Sequence, residues 1–306
     1  MIDIRYHSVS LVAVFMMLGV GIIIGLNLAT PAQKQQTKAL KSLQERVEGA
    51  VQDGREAKRR LSHVEHAVDI LRGRVVPGKL AGKRVEIIVC GDYPAAAHGA
   101  AAAVTDAGAT SVAQIIITDK LVQIAPEDRV NLFVQTLQPQ SAAASTAPES
   151  VSQTELFQPL MRALQQGTQY SLLDAAHIAT LENDGYLTVT GDIGQPCNLF
   201  VVIGGRNDDG VPSADSVADS ESAIVDGLTH SGLDVSVVGC EPVDALVSSI
   251  PNFQKEQIAT VDCIDQPLGQ LDLPFALRGG LDHADYGVKS TAGRELPASL
   301  EEQIHP

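Results

Sequence analysis

The chain has 306 residues with 22 basic and 37 acidic side chains, a net charge of −15. The charge is divided: residues 1–80 hold 12 basic and 7 acidic side chains (net +5), and the rest hold 10 and 30 (net −20). So acidic a remainder lacks the clustered Lys and Arg that phosphate recognition needs, which argues against nucleic acid and anionic lipid as its partners. It suits a soluble, self-repelling domain or one that meets cations.

From Ser8 to Gln33 there is no charged residue. Val9 to Ala29 meets the roughly 20 apolar residues that a helix needs to cross a hydrocarbon core, and a helix satisfies its own backbone there. A cleaved signal peptide is the competing reading. Against it stand a weakly basic start (Arg5 offset by Asp3), the length of the apolar run and an exit, Asn27 to Ala32, without a clean A-x-A. The expectation is an uncleaved, single-pass anchor. Charge counting opposes Arg5 and the amino terminus to Lys34, Lys38 and Lys41; taken alone this keeps the body inside, although long domains cross largely regardless of such charges. Gly21 and Gly25 form a small-xxx-small pair that lets two helices approach closely. Glycine is also simply common in membrane helices.

Apolar residues then recur at a heptad spacing. With Leu40 at position a, the a positions are Leu40, Val47, Gly54, Leu61, Val68 and Val75, and the d positions are Leu43, Ala50, Ala57, Val64 and Leu71. The sustained 3.5 period predicts a left-handed coiled coil. Gly54, flanked by Ala50 and Ala57, is the thin point of the seam and costs about 1 kcal/mol of helix propensity relative to Ala. The alternative is one amphipathic helix packed on its own body. Pro77-Gly78 ends the helix.

Beyond it, strands and helices alternate. Strands are expected at Val85–Cys90, Val112–Thr118, Asn198–Ile203, Val235–Val238 and Ile258–Val261. Helices are expected at Ala96–Ala107, Glu127–Gln135, Glu155–Gln166, Ser216–Thr229 and Leu268–Arg278. Gln138–Gln153, rich in Pro, Ser, Ala and Gln, reads as a flexible loop. The alternation predicts an α/β fold with a doubly wound, mostly parallel sheet. The expected organisation is an anchor over 1–33, a coiled coil over 34–77, a body over 78–290 and a tail over 291–306.

Ligands of such sheets bind at the carboxyl ends of strands. The segments there are Cys90-Gly91-Asp92, Gly204-Gly205-Arg206-Asn207-Asp208-Asp209, Cys240-Glu241 and Asp262-Cys263. None carries a dinucleotide fingerprint, a P-loop, a nucleophile elbow or a zincin motif, so a degenerate nucleotide-binding enzyme rests on fold analogy alone. The expectation is a protein that is not an enzyme and needs no cofactor. Cys90, Cys197, Cys240 and Cys263 lack CxxC spacing, so no zinc site is signalled. Thiolates and thioethers select Cu(I), which makes Cys90, Cys240 and Cys263 at strand ends candidate copper ligands, with Met16, Met17 and His7 beside them in the anchor. Buried free thiols and, in an extracytoplasmic body, disulfides are the alternatives.

The opening MIDIRYHSVSLVAVFMMLGVGIIIGLNL, the anchor–coil–α/β order, and the closing run Val261-Asp262-Cys263-Ile264-Asp265-Gln266-Pro267-Leu268-Gly269-Gln270, Leu277-Arg278-Gly279-Gly280, Tyr286-Gly287-Val288-Lys289 and Glu295-Leu296-Pro297 together resemble the MctB family, named for mycobacterial copper transport protein B. Cys263 stands where that family more often has a polar residue. The resemblance implies copper efflux or homeostasis, with a pore or channel described for one member. For relatives termed SteB it implies work in cell division and envelope integrity, with a SteA-like cytoplasmic partner and a peptidoglycan hydrolase. It also implies a cell-membrane location with an extracytoplasmic body. The leading expectation is a non-enzymatic dimer, scaffold or regulator, joined through Leu40, Leu43, Val47, Leu61, Val64, Val68 and Leu71 with Gly21 and Gly25. The alternative is a copper-handling transport component.

Overall fold

A computed structural model describes residues 4–90, 93–137, 148–206, 214–279, 284–294, 296–297 and 300. The chain divides into two compact units, Met1–Val64 and Glu65–Pro306.

The described residues of the first unit belong to one helix, α1, which runs from Ile4 to Val75. Anchor and heptad segment are therefore a single element, with no break near residue 33. Arg72 and Arg74 sit in its last turn, where positive charge favours the carboxyl end of the helix dipole. Pro77 disfavours helical geometry in the residue before it, and the helix stops two residues short of it.

The second unit takes in the last turns of α1 and the α/β body. β1 (Arg84–Cys90), α2 (Pro94–Asp106) and β2 (Ser111–Ile117) come first. Then follow α3 (Asp119–Val122), α4 (Pro126–Leu132) with a wider π turn over Phe133–Leu137, α5 (Gln153–Gln166), α6 (Ala175–Asn183) and β3 (Leu187–Thr190). β4 (Leu199–Ile203), α7 (Ala214–Thr229), β5 (Ser236–Cys240), α8 (Ile250–Lys255), β6 (Ala259–Val261), α9 (Pro267–Arg278) and β7 (Asp285–Tyr286) complete the order. All five expected strands and all five expected helices of the body are present. Short α3, α6 and α8 and the edge strands β3 and β7 carry too little periodicity to be read in advance. α5 starts two residues earlier than expected because Ser152 and Glu155 form a capping box: the Ser152 amide donates to Glu155 Oε2 at 2.8 Å and the Glu155 amide to Ser152 Oγ at 3.2 Å. Of the loop expected over 138–153, residues 138–147 lie outside the described residues.

The seven strands form one sheet in the order β3-β2-β1-β4-β5-β6-β7. All pairings are parallel except that of β3 with β2. Parallel strands need long crossovers and cover on both faces, so they read as continuous apolar runs; Leu199–Ile203 is buried at every position. One face is closed by a core that includes Ile88, Phe157, Met161, Leu164 and Ile224 from β1, α5 and α7. The other is closed by Ile87, Val89, Ala100, Val104, Leu271 and Leu277 from β1, α2 and α9.

Two packing details bear on the expected boundaries. Val68, Leu71 and Val75 pack half-buried against the second core, so these heptad positions belong with the body and not with a free stalk. Arg72 reinforces that seat, lying 3.2 Å from Asp69 and 3.5 Å from Asp106 and donating to Gln270 of α9. The expected tail over 291–306 is in part body: Leu296 packs on the same core, and Leu300 is 2% exposed within it. Replacing a fully buried Leu by Ala costs about 2–5 kcal/mol. Leu300→Ala should therefore lower the stability of the soluble fragment 34–306 by that order in urea unfolding, whereas a free tail would leave it unchanged.

Candidate functional site

Two places stand out, one on each unit. On the helical unit, Leu40 (69%), Leu43 (61%), Val47 (55%), Leu61 (58%) and Val64 (60%) are widely exposed. Val51, beside Ala50 in the thin middle of the seam, is exposed too; it holds an e position and was legible from the heptad, but the a/d count passed over it. An added Cβ at Gly19, Gly21, Gly25 or Gly54 meets nothing within 4 Å. Nothing inside the chain, among the described residues, accounts for these glycines or covers this seam. His7–Gly25 is the one described segment long and apolar enough to cross a membrane. Met16 and Met17 lie exposed along it.

On the body, the carboxyl edge of β4, β5 and β6 carries a buried polar knot. Gly204 and Gly205 follow β4, Glu241 follows β5, Asp262 follows β6, and Glu221 reaches in from α7. Ser249 Oγ donates to Glu221 Oε1 at 2.7 Å and accepts from the Gly205 amide at 2.6 Å. Glu241 accepts from the Ser249 amide at 2.8 Å, from Ser248 Oγ at 2.9 Å and from the Lys289 ammonium. Lys289 also reaches the Pro242 carbonyl at 3.0 Å. Asp262 in turn accepts from the Val288 and Lys289 amides at 2.8 and 2.9 Å, and Asp265 from the Val243 amide at 2.8 Å.

Local chain chemistry explains the fit. Gly287 has φ +142°, and a Cβ there would fall on the Asp262 carboxylate; only glycine lets this turn wrap the acid. Gly269 lets α9 approach the Cys263 carbonyl, which a Cβ would meet at 2.3 Å. The closing sequence runs around Asp262 and around Gly287 are therefore halves of one lock. Lys289 was legible only as part of such a run; Glu221 and Ser249 gave no spacing signal at all.

Burial sets the protonation of this edge. Removal from water pushes the Glu221 carboxyl up to about 7, assisted by nearby Glu241 and opposed by its bonds to Ser249 and Gly205. Asp272 of α9, 0% exposed with neither oxygen hydrogen-bonded among the described residues, is pushed up to about 8 by burial and by Asp262. Glu86 of β1 is raised by burial against the pull of Arg84. The buried Glu241 carboxylate pairs with the partly exposed Lys289 ammonium, an arrangement that is costly to break but adds little net stability relative to apolar packing.

The three expected copper ligands do not meet at one point: Cys263 lies near enough to Cys240 to raise its thiol, but Cys90 is not with them. Cys90 lies in the core on one face of the sheet and Cys240 in the core on the other, so one ion cannot bind both. Side chains of alternate residues leave a strand on opposite faces, and a shared place at the strand ends does not override that. All four cysteines are unbridged and buried, and burial raises the thiols, Cys197 to about 12. Among the described residues no three His, Cys, Asp or Glu side chains are placed to hold a metal ion. Gly91, Asp92, Asn207, Asp208 and Asp209 lie outside the described residues.

A helix with a membrane-length apolar segment and an open seam, continuing into an α/β body with a locked carboxyl edge, defines a helix-tethered α/β protein. The chain belongs to the MctB family: the family profile, described as copper transport outer membrane protein, MctB, matches residues 1–297. Membership associates it with copper transport at the cell envelope. No curated protein matches the chain. The described sheet is not the wall of a membrane barrel, whose strands need about 9–11 residues and one lipid-facing side. Its longest described strands have 7 residues, and both faces are covered by the chain's own helices.

The raised carboxyls of Glu221 and Asp272 bind protons more tightly in the folded chain than in the unfolded one. Their contribution is complete below the ordinary carboxylate range and is lost as pH rises through about 7 and about 8. The urea midpoint of fragment 34–306 should therefore fall between about pH 5 and pH 9, and Glu221→Gln with Asp272→Asn should flatten that slope.

Proposed function

We propose that this MctB-family protein is a non-enzymatic, single-pass envelope protein that works as a dimeric scaffold or regulator. Its amino terminus lies inside and its body outside the cytoplasmic membrane. The observation that carries the reading is the seam: five large apolar side chains from Leu40 to Val64 are more than half exposed, and burying each such side chain is worth about 1.5–3 kcal/mol. A helix leaving a membrane has a copy of itself as its nearest cover. The seam also offers a surface that a SteA-like partner or a peptidoglycan hydrolase would read once the dimer opens at Gly54, in the manner implied for SteB-like relatives. The body, whose described carboxyl ends of β4, β5 and β6 are tied together by the Glu221–Ser249–Glu241–Lys289 network, is in this reading the part that the helix displays.

The family's description supports a second reading, a copper-handling transport component. It does not draw on Cys90 and Cys240 as joint ligands; Met16, Met17 and His7 of the anchor are its better candidates.

Leu61→Asp with Val64→Asp should abolish dimerisation of fragment 34–306, measured by sedimentation; an unchanged dimer would sink the seam reading. A reporter fused after Pro306 should be active only outside the cytoplasm. Copper(I) titration of the reduced body should show no tight stoichiometric site, and sub-micromolar binding lost on Cys→Ser replacement would favour the transport reading instead.

A further inference from the structure

The charges flanking the seam carry information that its apolar residues do not. On the heptad frame the e positions are Gln44, Val51, Lys58, Glu65 and Arg72, and the g positions are Arg46, Asp53, Arg60, Ala67 and Arg74. In a parallel coiled coil each g residue meets the e residue five positions on in the partner helix, and such pairs set partner choice and orientation.

Asp53 has Gly49, Ala50, Glu56 and Ala57 at the helical neighbour spacings, and Lys58 has Gly54, Arg55, Leu61 and Ser62. Glu65 has Leu61, Ser62, Val68 and Asp69. None of the three finds an opposite charge on its own helix. Arg60 does, pairing with Glu56 at 2.6 Å in an exposed bridge of the kind worth a few tenths of a kcal/mol.

In a parallel, in-register pair Asp53 falls opposite Lys58 of the second copy, and Arg60 opposite Glu65 of the second copy. Symmetry doubles both, and the remaining g–e positions join Arg46 to Val51 and Ala67 to Arg72, so no like charges meet. A slip of one heptad reverses this. Arg46 then faces Lys58, Asp53 faces Glu65, Arg60 faces Arg72, and on the other side Arg60 faces Lys58. Every charged pair becomes like-signed. Anchors that enter one membrane from the same end exclude the antiparallel pairing. The far limit is set by the body, because Val68, Leu71 and Val75 are already taken up by its core.

We propose that the stem's partner is a second copy of this chain, parallel and in register from Leu40 to Val64, with Asp53–Lys58 and Arg60–Glu65 contacts between copies as the specificity determinants. The proposal rests on the dimeric reading above and adds orientation, register and the residues that select them.

The test uses the full chain in membranes and in detergent. Single replacements Leu43→Cys and Val64→Cys, both at d positions, should each give a covalent dimer on mild oxidation, and Arg59→Cys, on the outer face, should not; the four native cysteines are buried. At low salt Asp53→Lys should weaken dimerisation about tenfold, and adding Lys58→Asp should restore it to within about threefold. The loss should shrink at about 1 M salt, where screening is strong. A dimer in which Val64→Cys fails to cross-link, or in which the double reversal does not restore affinity, overturns the register while leaving dimerisation standing. A wild-type chain that stays monomeric in the membrane overturns both.

Discussion

This largely parallel sheet is open, from β3 to β7, and a parallel sheet has to be covered on both faces. That constraint organises this chain. Six strands of one direction demand helices on each side, and the body spends its apolar residues on two separate cores to supply them. Few large apolar side chains are left exposed on the body, whereas the anchor and the seam from Leu40 to Val64 carry a long run of them. The division of labour between a self-sufficient body and an unsatisfied helix follows from the sheet's need for cover. It is also why the functional reading falls on the helix, the part that still has apolar surface to bury.

The same constraint explains the carboxyl edge. At the described ends of β4, β5 and β6, Glu221 and Glu241 meet through Ser249, Lys289 pairs with Glu241, and Asp262 takes the amides of Val288 and Lys289. In many α/β proteins this edge is the ligand site; in this one it is a tie between β4, β5, β6 and the segment after β7. Burial raises the Glu221 carboxyl of this tie, so its contribution to stability is lost as pH rises through about 7. The seat of α1 on the body, through Val68, Leu71, Val75 and Arg72, is a second tie of a different kind, apolar with a guanidinium at its rim.

Much of this was legible beforehand. The anchor follows from length and lack of charge, the seam from its period, and the five main strands from short apolar runs ended by Gly or Asp. The misses share a cause. α3, α6 and α8 span 4–9 residues, too short for an apolar period to declare itself, and β3 and β7 are edge strands whose partners hold them. The copper reading placed Cys90 and Cys240 at strand ends, but β4 lies between their strands and the two side chains enter cores on opposite faces of the sheet. The polar knot joins residues as far apart as Gly205 and Lys289, a juxtaposition that no spacing encodes.

The sequence by itself determined that the chain has a membrane-length apolar helix, a heptad-spaced run of apolar residues interrupted at Gly54 and an acidic α/β body, because each is written in local composition or period. Only the tertiary structure decided where the seam stops being free. Val64 and Leu71 are both d positions of the heptad, but Val64 is left exposed and Leu71 packs half-buried on the body's core. Period reveals that a helix has an apolar face; what covers that face depends on residues hundreds of positions away.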